Sequence, residues 1–567
     1  MVDRRMNSTR RISGSDDTLE LPADVLSHVF ALNADMGQDQ AEIPRESVSE
    51  WPPRALTIIR DASHVCRSWR NLILFSPTLW GKLIDIDYLS HISDEAAQEI
   101  LSRAGNALLT VKAQIKIRDK ATDNAARSLL SHVLEANWDR IEKLSVHVFK
   151  AHRTEPHYWP QFYMPARSLK SFQLYFVSYF TMEHVLPFDG RRLFDGVAPQ
   201  LRSIDLGNRM EIDPGASWLS HIRYIRIYDA PMPLSRWLDL LSATTMLESL
   251  VIHFSSIDQQ SPDLENCCFV RLPYLTRLAV SHRLFDVAAL LGHLEVPPRC
   301  LVDIITTDPE RIKSADDIDL VKDVLGTYAK AWITHFSEQP QLCLSVLRRG
   351  FCVKQYIQGT EKNPVWCFCL DVSCSSDHDL HSVLPYLDAF AGINFDHISE
   401  LALEISGSWT LDTEHCVESN PSIPRFISRL QNVECMYTTI KSVDTLIRMT
   451  YHHSVLFPVL SRLKLGDIWS IYGRLMGPEN APAKVVRCFL EWRESKGHPI
   501  QLLDLTHCDL IPDLSSLDNM ATGMKIRWKS YRFASECEPE YICGSGRQDV
   551  LANLRPHELV DGTWVLT

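Results

Sequence analysis

The residues with the clearest potential for metal chemistry lie in one short segment near residue 370. It combines thiols, imidazoles and carboxylates in the order Cys367, Cys369, Cys374, Asp377, His378, Asp379 and His381. Zinc favours tetrahedral sets of four cysteine or histidine ligands. A zinc-dependent hydrolase is therefore one function that these residues leave open, as the less favoured alternative.

The same segment also has the pattern of a strand followed by a helix. Residues 365–373 alternate, which predicts Cys367 and Cys369 on one face beside Asp371. The opposite face would then carry Trp366, Phe368 and Leu370. Residues 375–377 suit the cap of a helix over 378–390, and no Cys-x-x-Cys pair occurs in the chain. We favour this interpretation, which predicts buried structural thiols and no metal.

Other catalytic signatures are missing from the sequence. It has no phosphate-binding P-loop, no Gly-x-Gly-x-x-Gly, no Gly-x-Ser-x-Gly and no His-Glu-x-x-His. Gly544-Ser545-Gly546 is too short to cradle phosphate and predicts a flexible turn. A basic cluster predicts a solvated helix face and comprises Lys484, Arg487, Arg493 and Lys496. We therefore expect no enzyme, no catalytic residue and no cofactor.

Composition restricts the classes of partner. The 567 residues carry a net charge of −13, which argues against broad contact with nucleic acid or an anionic membrane. No stretch approaches the length of a membrane span, and the N-terminus does not resemble a signal peptide. Fifteen scattered cysteines suit a reducing compartment. These features predict an intracellular protein, in the cytoplasm or the nucleus or both.

The elements that come first in the chain form a small helical module. After a polar tail at 1–17, Pro22 suits the first turn of a helix. A polar loop over 33–50 follows, and then one helical stripe of apolar residues runs from Ile58 to Ile73, stopped by Pro77. About 65 residues bury too little surface to be stable alone. The module must pack on the rest of the chain or on another protein.

Three segments of this module resemble an F-box. They are residues 21–30 (LPADVLSHVF), residues 65–70 (VCRSWR) and the closing Leu79-Trp80. The family pattern is Leu-Pro-x-Glu followed by apolar pairs, then Val-Cys-Arg/Lys-x-Trp, then Leu-Trp. Asp24 replaces the usual glutamate, and the middle loop is longer than in the minimal motif. The form is similar to the expanded F-box families of mushroom-forming fungi, and it covers about residues 18–85.

The resemblance implies a set of partner-binding residues. F-boxes dock on a Skp-type adaptor, which joins them to a cullin–RING ligase. The implied contact residues are Leu21, Pro22, Val25, Leu26, Val29, Phe30, Val65, Cys66, Trp69, Leu79 and Trp80. Cys66 and Trp69 share the apolar stripe and suit the core of the module equally well.

Residues 86–510 repeat an apolar triplet spaced i, i+3, i+5. The triplets are Ile141/Leu144/Val146, Leu169/Phe172/Leu174, Leu201/Ile204/Leu206, Ile222/Ile225/Ile227, Leu247/Leu250/Ile252, Leu275/Leu278/Val280, Ile398/Leu401/Leu403, Leu460/Leu463/Leu465 and Ile500/Leu503/Leu505. A single triplet is no evidence of a repeat, because such triplets often occur by chance in a chain with 45% hydrophobic residues. The first six starts, however, are 21 to 32 residues apart, which is typical of leucine-rich repeats.

This spacing predicts an irregular α/β solenoid with a parallel sheet inside and helices outside. Residues 300–395 contain no clean repeat, and two ordinary α/β domains remain the alternative. Residues 511–567 are expected to form a cap and a C-terminal extension, with a last strand at 524–528.

Together, the resemblance implies the substrate receptor of a Skp–cullin–F-box (SCF) ubiquitin ligase. The F-box would bind the adaptor, and the solenoid would bind a protein substrate that the sequence does not identify. An F-box scaffold that acts outside a ligase is the other alternative.

Overall fold

The protein is described here from a computed structural model. The described residues are 21–36, 55–116, 120–149, 159–177, 192–207, 212–228, 232–253, 257–258, 268–309, 312, 314–338, 341–347, 349–357, 365–374, 380–405, 420–450, 455–466, 481–508, 513–532, 535–552, 554, 559–560 and 563–564. The chain packs as two compact units, residues 1–204 and 205–567. The predicted boundaries at 17, 85 and 510 stay predictions.

Unit 1 begins with helices and continues with parallel strands. Its helices are α1 (Ala23–Asn33), α2 (Ala55–Ala62), α3 (Arg67–Leu74), α4 (Pro77–Gly81), α5 (Ile86–Leu89), α6 (Asp94–Arg103) and α7 (Lys120–Asn137). Its strands are β1 (Ile84–Asp85), β2 (Leu109–Lys116), β3 (Ile141–Phe149) and β4 (Ser171–Val177). Strand β5 (Ser203–Gly207) spans the boundary between the units. Neighbours β1 to β4 pair in parallel in chain order.

The apolar stripe predicted from Ile58 to Ile73 is carried by two helices. Its 3.6-residue periodicity continues across a break between α2 and α3. Cys66 has extended backbone angles there, and its Sγ accepts the Trp69 amide at 3.4 Å as the cap of α3. Pro77 does not simply stop a helix. It occupies the first turn of α4, where its missing N–H costs nothing.

Unit 2 contains the remaining elements. Its strands are β6 (Tyr224–Tyr228), β7 (Met232–Pro233), β8 (Ser249–His253), β9 (Ile257–Asp258), β10 (Val270–Arg271), β11 (Arg277–Arg283), β12 (Leu294–Glu295), β13 (Leu301–Thr307), β14 (Gln341–Leu347), β15 (Gly350–Ile357), β16 (Val365–Ser373), β17 (Glu400–Ile405), β18 (Cys435–Thr438), β19 (Arg462–Gly466), β20 (Leu502–His507), β21 (Lys525–Trp528), β22 (Ser530–Arg532), β23 (Ser535–Cys537), β24 (Glu540–Ile542), β25 (Leu559–Val560) and β26 (Thr563–Trp564). Its helices are α8 (Leu234–Ser242), α9 (Leu284–Leu291), α10 (Ala315–His335), α11 (Leu380–Val383), α12 (Ser422–Ile427), α13 (Ile440–Thr450), α14 (Ala481–Ser495), α15 (Leu517–Met520) and α16 (Gln548–Ala552).

The main sheet of unit 2 is long and mostly parallel. Its strand order is β6-β8-β11-β13-β16-β15-β14-β17-β18-β19-β20-β21-β24. Only β15 and the last strand, β24, run antiparallel to their neighbours within this described ladder. The α/β class with a long parallel sheet is therefore confirmed.

The apolar triplets explain why the strands form where they do. In all nine, the second and third residues lie in a described strand and the first lies at or just before its start. Every triplet residue is at most 5% exposed. Alternation points the second and third residues to one face, and the first fills the turn below them. Helices pack on this face, as α9 does on β11 and β13.

The stretch without a clean repeat contains a three-strand insertion. Strand β13 pairs in parallel with β16, which follows it only after β14 and β15. Strand β15 pairs antiparallel with both β14 and β16, and β14 then pairs in parallel with β17. Strands β15 and β16 lack triplets because hairpins join them to the strand before, whereas β14 follows the helix α10.

Unit 2 ends with a strand where one was expected and with an ordered turn where flexibility was expected. Strand β21 extends the parallel sheet, and β24 adds to it in antiparallel orientation. The glycine turn wraps around the buried Asp518 carboxylate, to which Gly544 N and Gly546 N donate at 2.7 and 3.2 Å. The Tyr541 hydroxyl donates to it at 2.8 Å. These hydrogen bonds, led by that of Tyr541, lower the pKa of Asp518.

One member of the predicted basic helix face is not solvated. Arg493 of α14 is fully buried. Its Nε donates to the His498 carbonyl at 2.9 Å, and Nη1 and Nη2 donate to carbonyls of the preceding turn: Leu456 at 3.0 Å, Phe457 at 3.1 Å and Leu460 at 3.0 Å. Burial lowers its pKa to about 10, so it stays charged at neutral pH. Arg493 is a structural clamp between α14 and the turn before β19.

Candidate docking surfaces

An apolar stripe of α1 is exposed. The stripe consists of Leu21, which precedes the helix, and of Val25, Val29 and Leu32 within it; we call it the α1 face. These side chains are 55%, 42%, 38% and 54% exposed in that order. Their spacing of four, four and three residues aligns them on one side of a helix. Val65 and Phe75, 64% and 83% exposed, are further apolar side chains that the same helical module leaves exposed.

The other side of α1 holds the module together. Leu26 and Phe30 are buried, and the Phe30 ring meets the half-buried Trp69 ring edge-on with centroids 5.1 Å apart. Of the residues that the resemblance implies, Leu21, Pro22, Val25, Val29, Val65 and Cys66 are exposed, whereas Leu26, Phe30, Leu79 and Trp80 are buried. The predicted set is therefore divided between a surface and the core beneath it.

The buried members fix the module to the rest of unit 1. The Trp80 indole N–H donates to the Ile73 carbonyl at 2.8 Å, and the Arg103 guanidinium lies 5.0 Å from the Trp80 ring centroid. Lys112, almost fully buried on β2, donates to the Met36 carbonyl just after α1 at 3.4 Å. The α1 face is thus presented by helices that are anchored on the sheet.

Two exposed residues of this module are absent from the predicted set. Leu32 continues the spacing that begins at Leu21, and that periodicity was a sufficient signal to include it. Phe75 follows α3 directly and is the most exposed of the large apolar residues in the described chain. No pattern in the sequence separates it from buried neighbours such as Ile73.

The strand over 365–373 forms as predicted, but its faces differ from the prediction. A β-bulge interrupts the register of β15 and β16 between Gln355 and Tyr356. As a result, the Cys367 thiol donates to the Gln355 carbonyl at 3.4 Å. Gln355 itself is fully buried and donates to the carbonyl at the end of α10, so this contact lies on the helix-covered face.

The residues next to the bulge take the opposite face. The Trp366 ring packs edge-on against Tyr356, and the Lys354 ammonium lies 4.7 Å from the centroid of the Trp366 ring. Cys369 pairs with Lys354 in the register and therefore shares that face with Trp366. Cys367 and Cys369 do not face each other, because a bulge shifts the alternation by one residue.

The described thiols of strands β14 to β16 are buried. Burial raises the pKa of Cys367 to about 12 and that of Cys343 to about 11. A hydrogen bond with Cys352, together with burial, raises the pKa of Cys369. Asp377, His378 and Asp379 lie outside the described residues, as does the side chain of His381. Within the described residues, no group of three or more metal-ligating side chains converges.

The second face of the unit 2 sheet is more polar than the helix-covered face. Near one end, Arg226 and Tyr228 of β6, His253 of β8 and Arg277 of β11 lie together; we call them the arginine–aromatic patch. The Tyr228 and His253 rings stack with centroids 4.9 Å apart. Burial, followed by Arg226, lowers the pKa of His253. Asp205 and Asp303 supply the neighbouring negative charges.

Comparison with known proteins adds little to this geometry. No family model matches the chain, and no curated protein matches it. Among solved structures, it is similar to the leucine-rich repeat-containing protein LegL7 from Legionella pneumophila, at 11% identity. The alignment covers 60% of this chain and 97% of that one, with a TM-score of 0.20, too low to carry an argument. Within the described part of this chain, no helix is both long and apolar enough to cross a lipid bilayer.

Proposed function

We propose that this chain is the substrate-recognition subunit of an SCF-type ubiquitin ligase. In this proposal, the α1 face docks on a Skp-type adaptor that joins the chain to a cullin–RING ligase. The leucine-rich-repeat-like sheet of unit 2 binds a protein substrate, in the cytoplasm or nucleus. The chain supplies no catalytic group, and its contribution is the proximity of substrate to a ubiquitin-charged enzyme.

The exposure of the α1 face is the observation that carries the proposal. Leu21, Val25, Val29 and Leu32 align on one side of a helix whose other side is already packed. Fully burying a large apolar side chain stabilises by roughly 1.5–3 kcal/mol. These four side chains, with Val65 and Phe75, are already partly buried, so burying the remainder offsets part of an association cost of roughly 4–15 kcal/mol. The F-box resemblance supplies the identity of the partner.

Introducing negative charge on the α1 face tests the adaptor contact. Val25→Glu/Val29→Glu places two carboxylates in the proposed interface, at positions already exposed to solvent in the free chain. We expect the double variant to fold like wild type and to lose capture by a purified Skp-type adaptor. Capture of the same amount of adaptor by wild type and variant would contradict the proposal.

A matched substitution separates specific docking from non-specific binding through exposed apolar side chains. Leu320 is an exposed leucine of α10, in the other unit. Leu320→Glu changes an exposed apolar side chain in the same way and should leave adaptor capture unchanged. Leu21→Ala/Pro22→Ala should also weaken capture, as the two glutamates do, and thermal unfolding of all variants checks that they fold.

Ligase assembly distinguishes a substrate receptor from a scaffold that acts outside a ligase. With adaptor, cullin and RING subunit present, wild type should bring a bound substrate to ubiquitination. The Val25→Glu/Val29→Glu variant should still bind that substrate and fail to support its ubiquitination.

A further inference from the structure

Two arginines of the arginine–aromatic patch have no hydrogen-bond acceptor among the residues that the structure describes. Within the described residues, neither Arg226 nor Arg277 donates a hydrogen bond. The nearest anionic contact of Arg226 is Asp205, with Nη1 and Oδ2 3.7 Å apart, beyond hydrogen-bond distance. Arg223, in the turn just before β6, is different, because it donates to Glu248 at 2.9 Å. Arginine forks are best satisfied by two parallel hydrogen bonds to one carboxylate.

The two arginines lie on the same side of an aromatic pair, nearer the start of the strands. Strand β8, which carries His253, lies between β6 and β11. Arg226 pairs with Val251 and Arg277 pairs with Ser249, two residues earlier in β8. Neighbouring strands are about 4.8 Å apart and successive residues about 3.3 Å apart, so the backbones of Arg226 and Arg277 are about 12 Å apart across the sheet. The stacked Tyr228 and His253 rings lie in the same patch. Arginine and tyrosine are enriched where protein interfaces derive most of their binding energy.

We propose that the arginine–aromatic patch binds an acidic segment of a protein partner. Aspartate or glutamate side chains of the segment accept hydrogen bonds from Arg226 and Arg277, and its backbone lies across Tyr228 and His253. The inference rests on the proposed function only in that the segment belongs to the substrate. It goes further by naming the chemistry that the substrate must present.

Electrostatics favour a protein segment over nucleic acid. Asp205 and Asp303 lie beside the patch, and the chain as a whole carries −13. A polyphosphate backbone, with one charge per nucleotide, would meet these carboxylates along its length. A segment with a few carboxylates engages two arginines and leaves Asp205 and Asp303 next to its uncharged parts.

The test uses the full chain and a labelled peptide in which aspartate and glycine alternate. The peptide should bind wild type, measured by fluorescence anisotropy, and the matched asparagine–glycine peptide should not. Arg226→Gln/Arg277→Gln should weaken binding at least about tenfold, since it removes two charge-assisted hydrogen-bonding groups. Arg277→Gln alone, at an exposed residue, should give a smaller loss and cover the case in which the double variant does not fold.

The controls keep the result specific to the patch. Arg271→Gln/Arg299→Gln removes the same charge from exposed residues outside it and should change affinity by less than about twofold. No binding of the acidic peptide by wild type, or an equal loss in this control, would overturn the inference. Tighter binding of a single-stranded oligonucleotide through Arg226 and Arg277 would also overturn it.

Adaptor capture, measured on the same preparations, separates the two proposals. Peptide binding without adaptor capture leaves the acidic-segment site standing and refutes the proposed function. Adaptor capture without peptide binding refutes the acidic-segment site alone.

Discussion

The α1 face and the strands of the unit 2 sheet carry similar apolar residues, but these are exposed on α1 and buried in the sheet. Leu21 and Val25 on the α1 face are 55% and 42% exposed, whereas Leu250 and Leu463 in the sheet are fully buried. Both sets recur at the spacing of their element, 3.6 residues for the helix and two for the strands. In the sheet, each apolar position meets a helix or a neighbouring strand. On α1, the covering surface is not supplied by the described part of the chain.

Apolar side chains of the sheet are buried on folding, whereas those of the α1 face remain exposed in the folded chain. The leucines of the strands pack against helices and neighbouring strands of the same chain, so they contribute to the free energy of unfolding. The α1 face contributes little to the free energy of unfolding, because its side chains would be buried only when a partner binds. Substitutions of like residues in the two places should therefore affect different measurements, and the predictions that follow separate them in order of expected effect.

The largest loss of stability is expected at Arg493. Arg493→Met leaves the carbonyls of His498, Leu456, Phe457 and Leu460 without their buried donor, which should lower the free energy of unfolding by roughly 3–5 kcal/mol. Chemical denaturation measures the change. Arg487→Met on the same helix is the control, since its ion pair with Glu491 is exposed and should matter by less than about 0.5 kcal/mol.

A matched pair of leucine substitutions tests the comparison most directly. Leu463→Ala in β19 should lower the free energy of unfolding by roughly 2–5 kcal/mol, because it leaves a cavity in a packed core. Leu21→Ala should change it by less than about 0.5 kcal/mol and should weaken adaptor capture. Equal destabilisation by both substitutions would break the distinction between the two regions.

A smaller, pH-dependent effect is expected in unit 1. Burial, followed by the charge of Lys112, lowers the pKa of His147 to about 4. Between pH 6.5 and 4, the unfolded chain binds a proton that the folded chain does not, so stability falls as the pH falls through this window.

His147→Gln should remove roughly 1–2 kcal/mol of that acid-dependent loss, measured by denaturation at neutral pH and near pH 4. His132→Gln is the control, because His132 is exposed on α7 of the same unit. The same acid sensitivity in wild type and His147→Gln would assign the loss to other groups.

Periodicity located the strands of the sheet well. Each of the nine triplets marks a strand, because a buried turn residue followed by two inward-facing residues is typical of parallel strands with helical crossovers. The insertion at β14 to β16 was missed; β15 and β16 follow hairpins and have no such turn residue, and β14 follows α10 without an apolar triplet. Cys367 was assigned to the wrong face, because a bulge is a property of the pairing between two strands and not of one strand.

The candidate site was only partly predictable. Val25 and Leu26 are adjacent and both apolar, yet one is exposed and the other buried. Which side of α1 packs inward depends on Trp69, more than thirty residues later, through its contact with Phe30. The arginine–aromatic patch had no signal at all, since Arg226, His253 and Arg277 become neighbours only through the register of three strands.

The pairing of β13 with β16 has a consequence for how the chain is made. Most neighbouring strands of the sheet are close in sequence, as where Arg277 pairs with Leu301. In contrast, Val302 of β13 pairs with Phe368 of β16, which is synthesised much later. During synthesis, β13 is therefore an uncovered edge, with free N–H and C=O groups, while more than sixty further residues are added. We expect nascent chains that stop in this interval to need a chaperone or to aggregate, and longer chains to escape once β16 closes the edge.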